Sequence, residues 1–200
     1  MRSYASFLVL ILSFAMSPVR CLAGAAEIPM RFNEGLLWVR VDTARSPEPL
    51  NFLVDTGASV SVLNLRAARR LALPLGDRVS VAGVGSNLTG HWPVKLEAAL
   101  GSLVLPDQYL ALDLEKLANA CQRPVDGLIG ADFFRDRVVR IDYAAGKLQV
   151  LSAPFTETGA EWVPIKSLPS GLRTPVQVNG GVRQWMRLDT GCASAMQWVT

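Results

Sequence analysis

The 200 residues are 50% hydrophobic and 18% charged, enough apolar mass for one ordinary domain or two small lobes, which excludes a disordered tail. The formal charge is +3, but two of the 20 basic residues, Arg2 and Arg20, precede residue 25 in a stretch without acids, so the remainder carries 18 basic against 17 acidic side chains. A near-neutral body with no run of like charge lacks the footprint of a nucleic-acid binder.

Arg2, the apolar stretch Phe7 to Met16 and the small residues Ala23-Gly24-Ala25 have the layout of a cleaved secretory signal over residues 1–25. Ser13 and Ser17-Pro18 break the apolar stretch well short of the ~20 residues a bilayer span requires. The expected product is secreted or periplasmic, with no stable membrane span. Cys121 and Cys192 remain after cleavage; nothing in the sequence brings them together, so two thiols are favoured over a disulfide. His91 is the single histidine and no Cys-x-x-Cys occurs, so neither a metal site nor a cofactor is expected.

From residue 27 to 151 the chain reads as short strands: Leu36 to Val41, Leu50 to Val54, Val79 to Val84, Val94 to Leu100, Tyr109 to Leu112, Val138 to Tyr143 and Lys147 to Leu151. Ala144-Ala145-Gly146 marks a hairpin between the last two. Brief helices are expected over Leu65 to Leu71, Leu114 to Ala118 and Ala131 to Arg135. The Pro-, Thr- and Glu-containing residues 152–160 read as a linker. Three further strands follow within 161–200: Trp162 to Ile165, Thr174 to Val178 and Gln184 to Leu188. The fold class is mostly β.

An Asp-Thr-Gly lies on each side of the linker: Asn51-Phe52-Leu53-Val54-Asp55-Thr56-Gly57-Ala58-Ser59 and Trp185-Met186-Arg187-Leu188-Asp189-Thr190-Gly191-Cys192-Ala193. Each follows an apolar strand. Given the composition, chance supplies this tripeptide roughly 0.03 times in the chain, so two in matching contexts imply two copies of one supersecondary unit. A single copy reads equally as turn chemistry, with a side chain that bonds local backbone and a glycine tolerant of positive φ.

If the two turns face each other, Asp55 and Asp189 share a site and hold one proton between them. The ionised partner then takes a proton from a water while the protonated one donates to a carbonyl oxygen, which hydrolyses an amide without a covalent intermediate. Gly57 and Gly191 keep side chains away from the acids, and the Thr56 and Thr190 hydroxyls are placed to bond backbone across the pseudo-twofold. With one histidine and no nucleophile motif beside it, a Ser or Cys triad is not supported.

Leu53-Val54-Asp55-Thr56-Gly57-Ala58-Ser59, followed by Gly127-Leu128-Ile129-Gly130, resembles the aspartic peptidase superfamily, which includes retroviral and pepsin-like enzymes and exported bacterial-type proteases. The resemblance implies a closed β-barrel lobe over 27–151 and the start of a similar second lobe over 161–200. It implies that Leu128, Ile129 and Gly130 pass behind the active turn and pack against it. It makes the glycine-rich hairpin tip at Gly83, Val84 and Gly85 a flap over the cleft, and an extended peptide or protein the substrate, held by strand addition.

Departures accompany the match. Ala58 and Cys192 stand where pepsin-like enzymes have a hydroxyl, Ala58 being closer to the retroviral pattern. Arg187 sits where the first copy has Leu53, and eleven residues follow Asp189 in this sequence. The favoured arrangement is part of a longer two-lobed enzyme; the alternatives are a chain folding alone with an incomplete second lobe, and a homodimer that pairs two Asp55 side chains. Two rival functions stand beside the peptidase: a non-catalytic peptide-binding module with a degenerate fold, and a carbohydrate hydrolase with paired carboxylates.

Overall fold

The computed structural model describes residues 26–83, 87–151, 159, 161–168 and 171–194. The signal reading over 1–25, the tip residues Val84 and Gly85, and most of the linker lie outside these. The chain is mostly β with short helices. In order it forms β1 (Ala26–Asn33), β2 (Leu36–Thr43), β3 (Ser46–Val54), β4 (Val62–Asn64), α1 (Leu65–Arg70), β5 (Asp77–Ala82), β6 (Asn87–Lys95), β7 (Ala99–Leu100), β8 (Leu103–Val104), β9 (Gln108–Leu112), α2 (Glu115–Ala120), β10 (Gly127–Ile129), α3 (Ala131–Phe134), β11 (Val138–Asp142) and β12 (Lys147–Leu151). A separate antiparallel sheet then comprises β13 (Lys166–Leu168), β14 (Gly171–Val176) and β15 (Gln184–Arg187).

The strands of the first unit run in the order β11-β12-β1-β2-β3-β10-β4-β9-β6-β5, with β7 pairing to β2 and β8 to β7. The barrel expected for this unit is not closed: no pairing among the described residues joins β11 to β5. The outer strand β5 keeps alternate residues in solvent and is covered by β6 alone on its paired side.

The run Leu36-Leu37-Trp38-Val39 shows no polar alternation because both faces of its strand are covered. Leu37, Val39 and Val41 join Leu50, Phe52 and Val54 in one core, while Leu36, Trp38 and Leu53 join Val62, Leu110 and Leu128 in a second. A strand between two cores needs apolar residues in both phases. Val79 and Val81 of β5 pack on the second core. The tight β1–β2 turn places Glu34 and Gly35 at φ 52° and 78°, a conformation that favours the glycine.

Several expected elements moved. The strand expected over Val94 to Leu100 is interrupted, because β6 pairs with β9 whereas β7 turns away to pair with β2 at Asp42. No strand forms over Trp162 to Ile165: Pro164 lacks the N–H a ladder needs, and Trp162, Val163 and Ile165 stand exposed. Pairing begins at Lys166 instead. Strand β1 went unread because Pro29 interrupts its pattern, and β4 because it is three residues long and runs directly into α1. Asn64 caps that helix, accepting from Arg66 N at 3.1 Å, while its amide donates to Val125 O at 2.8 Å.

Candidate active site

Strand β3 delivers Asp55 and β15 delivers Asp189, and the turns that follow them interlock. The Thr56 hydroxyl donates to Leu188 O at 2.7 Å and accepts from Thr190 N at 3.1 Å; the Thr190 hydroxyl donates to Val54 O at 2.7 Å and accepts from Thr56 N at 3.1 Å. Four bonds related by a pseudo-twofold thus join segments more than 130 positions apart. Within each turn the acid is held in the same way, Asp55 Oδ1 accepting from Gly57 N and Asp189 Oδ1 from Gly191 N, both at 2.9 Å.

The glycines are required by close approach. A side-chain carbon on Gly57 would overlap the Asp189 carboxylate, and one on Gly191 would meet the Asp55 carboxylate. The two acids therefore each lie against the opposite turn. Burial pushes Asp55 up to about 6, the neighbouring Asp189 charge adds to the rise, and the N–H groups of Gly57 and Ala58 oppose it.

Behind the first turn, β10 runs parallel to β3 with Leu128 opposite Leu53 and Ile129 opposite Val54. Asp55 N donates to Ile129 O at 2.9 Å, and Ala131 N to Ala58 O at 2.8 Å. Gly130 abuts the Val60–Ser61 peptide with no room for a side chain. Gly83 lies just beyond the end of β5. Cys121 and Cys192 are not joined in a disulfide. His91 Nδ1 lies 2.9 Å from Gly76 O, and no group of metal-ligating side chains occurs among the described residues.

Two supporting clusters escaped the sequence reading. Asp132 accepts from Ser61 N at 2.9 Å and from the Ser61 hydroxyl at 2.8 Å, while that hydroxyl accepts from Gly130 N at 3.1 Å. This fastens α3 and the glycine behind the turn to the strand leaving it. Asp126 is buried and accepts from Asn51 N at 2.9 Å and Arg70 Nη2 at 2.8 Å, tying α1 to β3 and β10. An acid in the first turn of α3 was the available signal for Asp132; nothing local distinguishes Asp126.

The profile of the aspartyl protease family matches residues 30–133, about half of the sequence. The chain belongs to that family, within the retropepsin-like aspartic peptidases. The retrovirus-related Pol polyprotein from transposon 412 of Drosophila melanogaster is 24% identical over 132 residues, which are 66% of this chain and 10% of that protein. This chain thus corresponds to about a tenth of that relative. The family match contains Asp55 and ends before Asp189, so the second turn rests on its contacts with the first.

Those contacts make a specific expectation. Thr190→Val removes a donor to Val54 O and an acceptor for Thr56 N at once, so it should cost about 2–3 kcal/mol. Denaturant unfolding of Thr190→Val beside Thr190→Ser measures this; the serine variant, which keeps the hydroxyl, should lie within about 1 kcal/mol of the parent.

Proposed function

We propose that the chain is an aspartic endopeptidase in which Asp55 and Asp189 hold a water between them and share one proton. The ionised carboxylate removes a proton from the water as its oxygen attacks the peptide carbonyl carbon. The protonated carboxyl donates to the carbonyl oxygen, and collapse of the tetrahedral adduct expels the amine with a proton returned from the pair. The observation that carries this reading is that each carboxylate lies against the opposite turn, the two turns being interlocked by Thr56 and Thr190. No metal, cofactor or covalent intermediate enters the scheme.

On this reading residues 27–151 form one peptidase lobe, 152–160 a linker and 161–200 the opening of a second. The tip at Gly83, Val84 and Gly85 covers an extended peptide or protein substrate, and Leu128, Ile129 and Gly130 brace the active turn. The dyad is assembled within one chain, so a homodimer is not needed to supply the second acid. Export rests on the signal layout of residues 1–25. Among the described residues no helix is long and apolar enough to cross a membrane.

The shared proton sets the test. Since Asp55 titrates near 6, the singly protonated pair persists below that value and is lost above it. For a fluorogenic peptide kcat/KM should fall about tenfold per pH unit above that point; a rate constant through pH 8 contradicts the scheme. The rival reading is a binding module without turnover. It draws on the small sheet β13–β15, which leaves Leu168 and Trp185 exposed, and capture of an extended peptide without cleavage would select it.

A further inference from the structure

Lys166, Arg173 and Arg187 occupy one row across the three strands of the second sheet: Lys166 is directly opposite Arg173, and Arg173 directly opposite Arg187. Directly opposed residues project from the same face with Cβ atoms about 5 Å apart, where like charges repel and destabilise the pairing. Among the described residues the partners found for these three are neutral. Arg173 Nη1 donates to Trp185 O at 3.2 Å, Lys166 Nζ sits 3.9 Å from the centre of the Trp185 ring, and Arg187 Nη1 donates to Gly57 O at 3.3 Å. Both Lys166 and Arg187 are solvent-exposed.

The row ends at the catalytic turn, since Gly57 belongs to the turn that bears Asp55. Arg187 stands two residues before Asp189, as Leu53 stands two residues before Asp55. Leu53 is buried beside Val62 and Leu128. The first copy thus places an apolar wall at this position and the second places a cation.

We propose that Arg187, backed by Arg173 and Lys166, is a specificity site for a substrate carboxylate, so that the enzyme favours peptides with Glu or Asp beside the scissile bond on the side of the second turn. This rests on the peptidase reading above. A carboxylate would draw the guanidinium from the neutral Gly57 carbonyl, because a hydrogen bond between charged partners is about twice as strong as one to a neutral acceptor. It would also relieve the repulsion along the row. Three cations on an otherwise near-neutral body suit a single acidic side chain better than a polyanion.

The test uses matched peptides that differ at one position, Glu, Gln or Lys, scanned through three residues on each side of the cleaved bond. The full chain should cleave the Glu peptide with about tenfold higher kcat/KM than the Gln peptide at one position on one side only, and added salt should shrink the ratio. Arg187→Glu should invert the preference towards Lys, and Arg173→Glu, at a residue bonded to Trp185 O rather than to the turn, should weaken it several-fold. Ratios within twofold at every position, or a preference unchanged in both variants, would overturn the proposal while leaving the peptidase reading intact. If no peptide is cleaved, that reading fails, and the row is judged by equilibrium binding of the same peptides. About tenfold tighter binding of the Glu peptide, lost in Arg187→Glu, supports the site; equal affinities, or no binding of either peptide, overturn it.

Discussion

Replacing Asp55 with Asn should lower peptide turnover by about a thousandfold or more while the chain keeps its fold. The amide preserves the shape of the carboxyl and can accept from Gly57 N and Ala58 N through its oxygen, as Asp55 does at 2.9 and 3.2 Å. It can neither take nor release the proton the scheme moves. Single-turnover cleavage, run beside circular dichroism, separates lost chemistry from lost structure, and parent-like hydrolysis by the variant would remove Asp55 from the mechanism.

A second readout of the same variant follows from linkage. Because Asp55 binds its proton more tightly in the folded chain, titrating near 6 rather than in the ordinary carboxylate range, the folded state holds more protons than the unfolded state between about pH 4 and 6. The contribution of this group to stability is therefore fully present below the ordinary carboxylate value and is lost as pH rises through 6. Asp55→Asn should flatten that slope and be at least as stable as the parent at pH 7, as followed by denaturant midpoints across pH. A variant less stable than the parent at neutral pH would contradict a proton shared by a buried pair.

Gly130→Ala should be the most damaging of the small substitutions, costing about 3 kcal/mol. The added carbon would overlap the Val60 carbonyl and lie 2.7 Å from Ser61 N, and both are backbone groups held in place. Ser61 is fixed by two bonds to Asp132 and by the one it accepts from Gly130 itself. Relief therefore requires moving the strand that leaves the first Asp-Thr-Gly turn, so on the proposed mechanism turnover should fall together with the denaturation midpoint. Gly57→Ala differs in kind: its overlap is with the movable Asp189 carboxylate, so there the acid swings aside and activity falls with less loss of stability.

Much of the first unit was legible because its signals are local. The alternation and turn residues of Lys147 to Leu151 and of Ala144-Ala145-Gly146 mark a hairpin whatever surrounds it, and Gly146 does take φ 62° there. Helices α1 and α3 fell within one residue of their expected limits, since each begins where an apolar strand gives way to a capping residue or a glycine. Pairings that depend on distant partners were misread. The run Val94 to Leu100 sets Lys95 and Glu97 between apolar residues as a single strand would, yet it splits because its two ends join different neighbours. Trp162 to Ile165 has the composition of a strand but pairs with no strand among the described residues.

The sequence alone determined the chemistry available to this protein: two acids, each set in a turn of the same three residues after an apolar strand, with one histidine and no rival nucleophile motif. That information is compositional and local, so it survives without coordinates. Only the tertiary structure decided that the acids meet, that Thr56 and Thr190 bond across to each other's strands, that Ser61, Asp132, Asp126 and Arg70 brace the first turn, and that Lys166, Arg173 and Arg187 align beside it. Each of these is a contact between residues remote along the chain or on separate strands, and its existence is set by sheet register and packing, which no short stretch of sequence encodes.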